Sequence, residues 1–138
     1  MSDSTTQAAA NKQTVLDFWQ SPPTKQPGFL TDDVKWHLPP SIGDGQFGVT
    51  TLEGDDAKAI FEMATGVYEP MGSMDILHLT AEDDRVALHC VLHTRTKAGY
   101  DYDGPYHMLF RLDGGKIAEA WEFLDTAYLA ARVVPPGG

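Results

Sequence analysis

Apolar residues recur along this chain at two spacings: three and four residues apart in much of the first half, and every second residue beyond Pro70. The segment NKQTVLDFWQ sets Val15, Phe18 and Trp19 on one face of a helix that starts at Asn11 and is stopped by Pro22-Pro23. After a connection rich in Pro and Gly, Val34, Trp36 and Leu38 alternate with Lys35 and His37 and predict a first strand that ends at Pro39-Pro40. The glycine-containing segment SIGDGQFGVTTLEG reads as a loop. Asp55 or Asp56 can then cap a helix through AKAIFEMATGVYE, with Ala57, Ile60, Phe61, Ala64 and Val67 on its apolar face.

From there the pattern is that of strands, predicted over 74–80, 85–96, 105–112 and 116–125. Turn signals separate them at Glu82-Asp83-Asp84, from Gly99 to Gly104, and at Asp113-Gly114-Gly115. Helices followed by a run of long strands define an α+β arrangement in which a curved antiparallel sheet buries its apolar face on the helices. The 138 residues suit one domain, placed at 11–132 between a disordered tail at 1–10 and a C-terminal tail at 133–138.

Composition narrows the function classes. Twenty Asp and Glu against ten scattered Lys and Arg give a formal net charge of −10, which argues against nucleic acid as a partner, since phosphate binding needs a clustered positive surface. No apolar run approaches the length of a membrane helix, so no membrane partner is expected. The N-terminal stretch does not read as a secretory signal, and the expected location is cytoplasmic. Cys90 is the single cysteine, which excludes an intramolecular disulfide and fits a reducing compartment.

Several landmarks stand in a recurring order: an early helix, Asp32-Asp33-Val34-x-Trp36 opening a strand, Gly54-Asp55-Asp56-Ala57-x-x-Ile60-Phe61 opening a helix, and the ending FRLDGGKIAEAWEFLDTAYL. In this the chain resembles the SnoaL-like and ketosteroid-isomerase-like branch of the nuclear transport factor 2-like superfamily over residues 11–130. The resemblance implies a cone-shaped, curved sheet wrapped around helices, an apolar pocket at its wide mouth, and a homodimer formed through the outer sheet face. Function varies widely on this fold, so the site needs its own case. The position of the isomerase general base falls on Leu38, and helix one offers Phe18 and Trp19 where a tyrosine donor is wanted. The histidine-orienting aspartate of the dehydratase members has no counterpart in SPPTKQPGFL. The acid/base aspartate of SnoaL-like polyketide cyclases matches Asp125, which as a residue preceding TAYLAARV has a second reading as a helix cap.

Alternation places Tyr106 with Met108, Phe110 and Leu112 toward the helices, and His89, His93 and His107 on the opposite, mixed face. Those histidines either decorate a dimer or solvent face, or line a polar pocket where one of them serves proton transfer. A metal is not expected, because residues four apart on a strand lie about 13 Å apart, too far to share one ion. No phosphate-binding or dinucleotide fingerprint is present, and no cofactor is expected.

The reading is therefore a cofactor-independent acid/base enzyme, a lyase, isomerase or cyclase acting on a hydrophobic aromatic or polycyclic small molecule, with retro-aldol cleavage of a lignin-derived aromatic diol as one form. Asp125, His107, His89 and Tyr106 are the candidate catalytic residues. Trp36, Leu38, Tyr68, His93, Tyr102, Trp121 and Phe123 are the candidate substrate contacts. Two alternatives stand beside it: a non-catalytic ligand-binding or dimerisation module, and a limonene-type epoxide hydrolase, which needs Arg95 or Arg111 to face inward beside Asp125.

Overall fold

In the structure, a computed structural model that describes residues 3–42, 50–70 and 72–133, the first helix reaches further back than its apolar face predicts. Helix α1 spans Asp3–Gln20, taking in most of the segment expected to be a tail. Ala8-Ala9-Ala10 has the highest helix propensity available, and the Gln7 side chain donates to Asn11 one turn on at 2.9 Å. Asn11, Val15 and Phe18 face the sheet and are buried. A 3-10 turn at Gln26–Phe29 leads into strand β1, Leu30–His37, followed by a helical turn α2, Pro40–Ile42, and a short strand β2, Thr51–Glu53, within the segment expected to be loop.

The helix expected to run toward Pro70 is two short pieces, α3 (Asp55–Lys58) and α4 (Ile60–Ala64). Thr65, Gly66 and Val67 are poor helix formers, and their amides bond back three residues to Glu62, Met63 and Ala64, tightening the chain out of the α-helix. Tyr68 then pairs with Thr96 in an isolated bridge. Strands β3 (Ser73–Glu82), β4 (Arg85–Arg95), β5 (Asp101–Asp113) and β6 (Lys116–Leu124) follow, and helix α5, Thr126–Val133, covers part of β5.

The six strands lie in the order β2-β1-β6-β5-β4-β3. The sheet is mixed where an antiparallel one was expected, because β1 pairs with β6 in parallel while every other neighbour is antiparallel. These two strands come from opposite ends of the domain, so no hairpin dictates their direction. The β5–β6 hairpin closes as predicted on Gly114 and Gly115, both at positive φ (60° and 81°), which the tight two-residue turn requires. Strand β5 starts four residues earlier than predicted, so that Gly104 lies inside it. A Cβ there would come within 2.3 Å of the Tyr102 ring, so only glycine leaves that ring its place.

The core sits between the sheet's concave face and the helices. Phe18, Trp36, Phe61 and Phe110 meet edge to face, with Phe18–Phe61 centroids 5.3 Å apart and Trp36–Phe61 5.4 Å apart. One irregularity positions the site. Opposite Arg111 and Leu112, strand β6 carries the extra residue Ala118 as a bulge, so the alternation set by Ile117 is reversed downstream. Ala120, Glu122 and Leu124 therefore face inward, opposite Phe110, Met108 and Tyr106, while Glu119, Trp121 and Phe123 face outward.

Candidate active site

A cavity of about 520 Å³ opens between the concave sheet face, α1, α4 and α5. Its walls are apolar over most of their area, with Leu38, Phe61, Met74, Leu92, Met108 and Leu129 among the contributors. Such a volume and lining suit a drug-sized hydrophobic molecule.

Glu122 projects into this apolar space from β6, and the indole Nε1 of Trp36 donates to its Oε1 at 2.8 Å. Burial raises the Glu122 carboxyl above the usual value of 4.5, and the Trp36 hydrogen bond, which favours the charged form, only partly opposes this. A carboxyl whose hold on its proton is strengthened by burial is the kind of group that proton transfer draws on. Burial is the main cause that raises Tyr68, Tyr102 and Cys90, and the charge of Glu122 adds to it.

Beside it runs a chain of three phenols. Tyr106 Oη lies 3.1 Å from Tyr68 Oη and 3.0 Å from Tyr102 Oη. Burial raises all three above the ordinary phenol range, so they stay neutral and can act only as hydrogen-bond donors and acceptors. Tyr68 and Tyr106 line the cavity, whereas Tyr102, 1% exposed, lies behind Tyr106 and stacks on Tyr128 at 5.3 Å. Burial likewise raises the Cys90 thiol to about 11, which removes it as a nucleophile.

One further polar group lies near this region, buried within the packing rather than exposed to the cavity. Trp19 lines the cavity from α1, and its Nε1, sequestered from solvent, has no hydrogen-bond partner among the described residues. A buried donor left so costs about 1–3 kcal/mol. At the rim, Lys97 pairs with Glu69 at 3.7 Å.

The candidates from the sequence divide into two groups. Trp36, Leu38, Tyr68 and Tyr106 come together around the cavity, with Tyr102 just behind. The other group lies elsewhere. Asp125 is exposed at the start of α5, where its Oδ1 accepts from the Tyr128 amide at 3.0 Å and its carbonyl from the Leu129 amide at 3.2 Å, the geometry of a helix cap. His89 and His107 stand on the outer face, stacked at 6.2 Å, with His78 stacked on His89 at 5.4 Å. His93 bridges Asp103 (2.7 Å) and Asp75 (2.9 Å) on that same face. Trp121 stacks on His37 at 5.3 Å, and Phe123 is 57% exposed.

The reason is local in each case. The histidines obey the alternation of regular strands opposite buried Cys90 and Tyr106, and the Ala118 bulge turns Trp121 and Phe123 outward. Arg111 donates to Glu119 on the outer face and Arg95 to exposed Asp101, so neither arginine stands in the cavity beside a carboxylate as the epoxide hydrolase reading requires. Among the described residues no group of three or more His, Cys, Asp or Glu is arranged to hold a metal ion. Glu122 was missed because strict alternation from Ile117 puts it on the outer face. Its signal, a carboxylate between Ala120 and Leu124, becomes legible only with the bulge.

This geometry on this sheet defines the class. The SnoaL-like domain model matches residues 18–120, and the chain belongs to that family. Its fold is the NTF2-like fold, an α+β cone. A Jannaschia protein named as a SnoaL-like polyketide cyclase superposes with a TM-score of 0.77 at 18% identity, covering 99% of this chain and 97% of that one. An NTF2-like protein of unknown function from Burkholderia pseudomallei gives 0.76 at 16% identity over 90% and 97%. IdmH of Streptomyces antibioticus, named as a polyketide cyclase, gives 0.72 at 16% identity over 88% and 96%. No curated protein matches the sequence. No helix among the described residues is long and apolar enough to cross a membrane.

Proposed function

We propose that this protein is a cofactor-independent acid/base enzyme acting on a hydrophobic aromatic or polycyclic small molecule, with Glu122 as its proton shuttle. The observation that carries this reading is the Glu122 carboxyl, set in an apolar cavity with its affinity for a proton raised by burial and its orientation held by the Trp36 indole. In its ionised form Glu122 accepts a proton from carbon next to a carbonyl, and in its neutral form it returns that proton elsewhere on the same skeleton. Such a shuttle serves isomerisation, aldol-type cyclisation and retro-aldol cleavage alike. Tyr106 and Tyr68, neutral and hydrogen-bonded to each other, supply polar contacts to the substrate's oxygen functions.

Polyketide-like substrates are favoured by the neighbours named as polyketide cyclases and by the predominantly apolar lining. Homodimerisation through the outer sheet face belongs to the same proposal, supported by the exposure of Phe123 beside His107 in the register.

The test is a thermal-shift screen of aromatic ketones, diols and polyketide-like compounds, with turnover of each hit followed by chromatography. Wild type, Glu122→Gln and Asp125→Asn are compared. Turnover lost in Glu122→Gln with binding retained, and kept in Asp125→Asn, is the expected result. Hits that bind without turnover in wild type replace the enzyme reading with that of a ligand-binding module.

A further inference from the structure

A second cluster of polar side chains stands on the outer sheet face, where β2, the last strand of the sheet among the described residues, meets β1 and β6. The Leu38 amide donates to the Thr50 carbonyl and the Gly54 amide to the Val34 carbonyl, both at 2.8 Å. His37 and Thr51 therefore oppose each other at a non-hydrogen-bonded position of the ladder, where facing side chains come closest. The Thr51 hydroxyl and His37 Nδ1 lie 3.0 Å apart, and His37 Nε2 and Glu119 Oε2 lie 2.6 Å apart. The same register turns the Thr51 amide away from β1, toward the edge of the sheet.

The carboxylate sets the proton positions. Its hydrogen bond with His37, joined by that from Arg111, holds Glu119 below the ordinary value of 4.5, so it is ionised at neutral pH and can only accept. His37 Nε2 must then carry a hydrogen, which in the neutral imidazole leaves Nδ1 to accept from the Thr51 hydroxyl. Trp121, stacked on the imidazole at 5.3 Å, and Arg111, 3.3 Å from Glu119, restrain the two partners. A hydroxyl bonded to a base that a carboxylate orients is the arrangement that makes an alcohol a nucleophile. Thr51 and His37 are both partly exposed, and none of the three residues lines the cavity.

We propose that Thr51, His37 and Glu119 form a second active centre, separate from the cavity, that hydrolyses short carboxylic esters through an acyl-threonine. Short esters suit it because the cluster lies on the sheet surface and they need no enclosing pocket. Thr51 Oγ1 bonds to the ester carbonyl carbon as its proton passes to His37 Nδ1. The Thr51 amide at the sheet edge donates to the carbonyl oxygen as negative charge gathers there. The ester C–O bond then breaks, and the leaving alkoxide takes the proton from Nδ1. Water repeats these steps against the acyl-threonine, releasing the carboxylic acid and restoring the hydroxyl. Glu119 touches no reacting atom and is a positioning residue, which holds the imidazole in the required tautomer.

The probe is p-nitrophenyl acetate. Wild type should release p-nitrophenol over many turnovers, and samples quenched in acid should carry an acetyl group on Thr51, located by peptide mass mapping. Thr51→Val, which keeps the shape of the side chain, should lose both, and Thr51→Ser should keep both. His37→Gln should slow release by about 10²–10⁴-fold, as loss of a general base does. Glu119→Gln should lower kcat with KM unchanged, which a purely structural role does not predict. Unfolded wild type supplies a reading that needs no variant: Thr51 should be acetylated in the native protein and not in urea. No acetyl group on Thr51 in the native protein, equal labelling in urea, release that stops after a single turnover, or full activity in His37→Gln overturns the inference.

Discussion

Trp36 Nε1 donates to Glu122 Oε1 across 2.8 Å, joining the first strand to the last. The bond holds the carboxyl in one orientation and favours its ionised form, against burial, which favours the neutral one. Because burial is the larger effect, the folded protein holds the Glu122 proton more tightly than the unfolded chain does. The linkage has a definite sign: stability from this group is present below the ordinary value of 4.5 and is lost as pH rises from there through the raised folded value. Glu122→Gln keeps the acceptor for Trp36 and cannot ionise, so its melting temperature should exceed that of wild type at neutral pH and converge with it in acid. Paired melting curves across that range check this. Turnover should fall by about 10²–10⁴-fold in the same variant, the usual worth of a general acid or base.

Tyr106 is the middle of the phenol chain, and Tyr106→Phe strips a partner from both Tyr68 and Tyr102. A loss of about 1–3 kcal/mol is expected, because buried hydroxyls left unpaired lose more than the bond itself returns. Urea unfolding of Tyr106→Phe alone and combined with Tyr102→Phe measures it. The double variant should lose less than the sum of the two single losses, since the second removal takes away a hydroxyl already orphaned.

Gly104→Ala forces the Tyr102 ring from its place, because a Cβ would meet ring atoms at 2.3–2.4 Å. Overpacking of this kind costs about 1–3 kcal/mol. The check is the same substitution made together with Tyr102→Leu, in which the added methyl should be tolerated better.

Asp125→Ala removes the side-chain acceptor from the Tyr128 amide and should cost about 0.5–2 kcal/mol in chemical denaturation. Asp125→Asn, which retains a capping oxygen, should recover most of the loss. A cap explains that pattern, whereas a role in proton transfer does not predict rescue by asparagine.

His93 takes hydrogen bonds with Asp103 and Asp75, which raise its pKa above 6.5. The stability it confers is therefore present below 6.5 and lost as pH rises through the folded value. His93→Gln should melt below wild type in mildly acidic solution and alongside it in alkaline solution. High salt should shrink the difference, since the group is exposed.

Much of the frame was legible in the sequence because it rests on local rules. Val15 and Phe18 marked the inner face of α1 by their spacing, Pro22-Pro23 fixed its end, and the Asp113-Gly114-Gly115 run fixed the β5–β6 hairpin. The alternation in β4 and β5 sets buried Cys90 and Tyr106 on the face opposite the histidines, which decides between the two placements left open for His89, His93 and His107, and Tyr68, Tyr106, Trp36 and Leu38 lie on the cavity wall.

Tertiary structure alone decided the rest, because the deciding contacts are not local. The parallel pairing of β1 with β6 joins segments more than eighty residues apart. The bulge at Ala118 depends on how β6 meets β5, and it exchanges the faces of Glu122 and Trp121 without leaving a mark on the pattern of residue types. Sequence could supply a carboxylate, three phenols and two indoles. Only the packed sheet and helices could bring Glu122 to Trp36 and Tyr106 between Tyr68 and Tyr102, since burial and partner are properties of the folded neighbourhood.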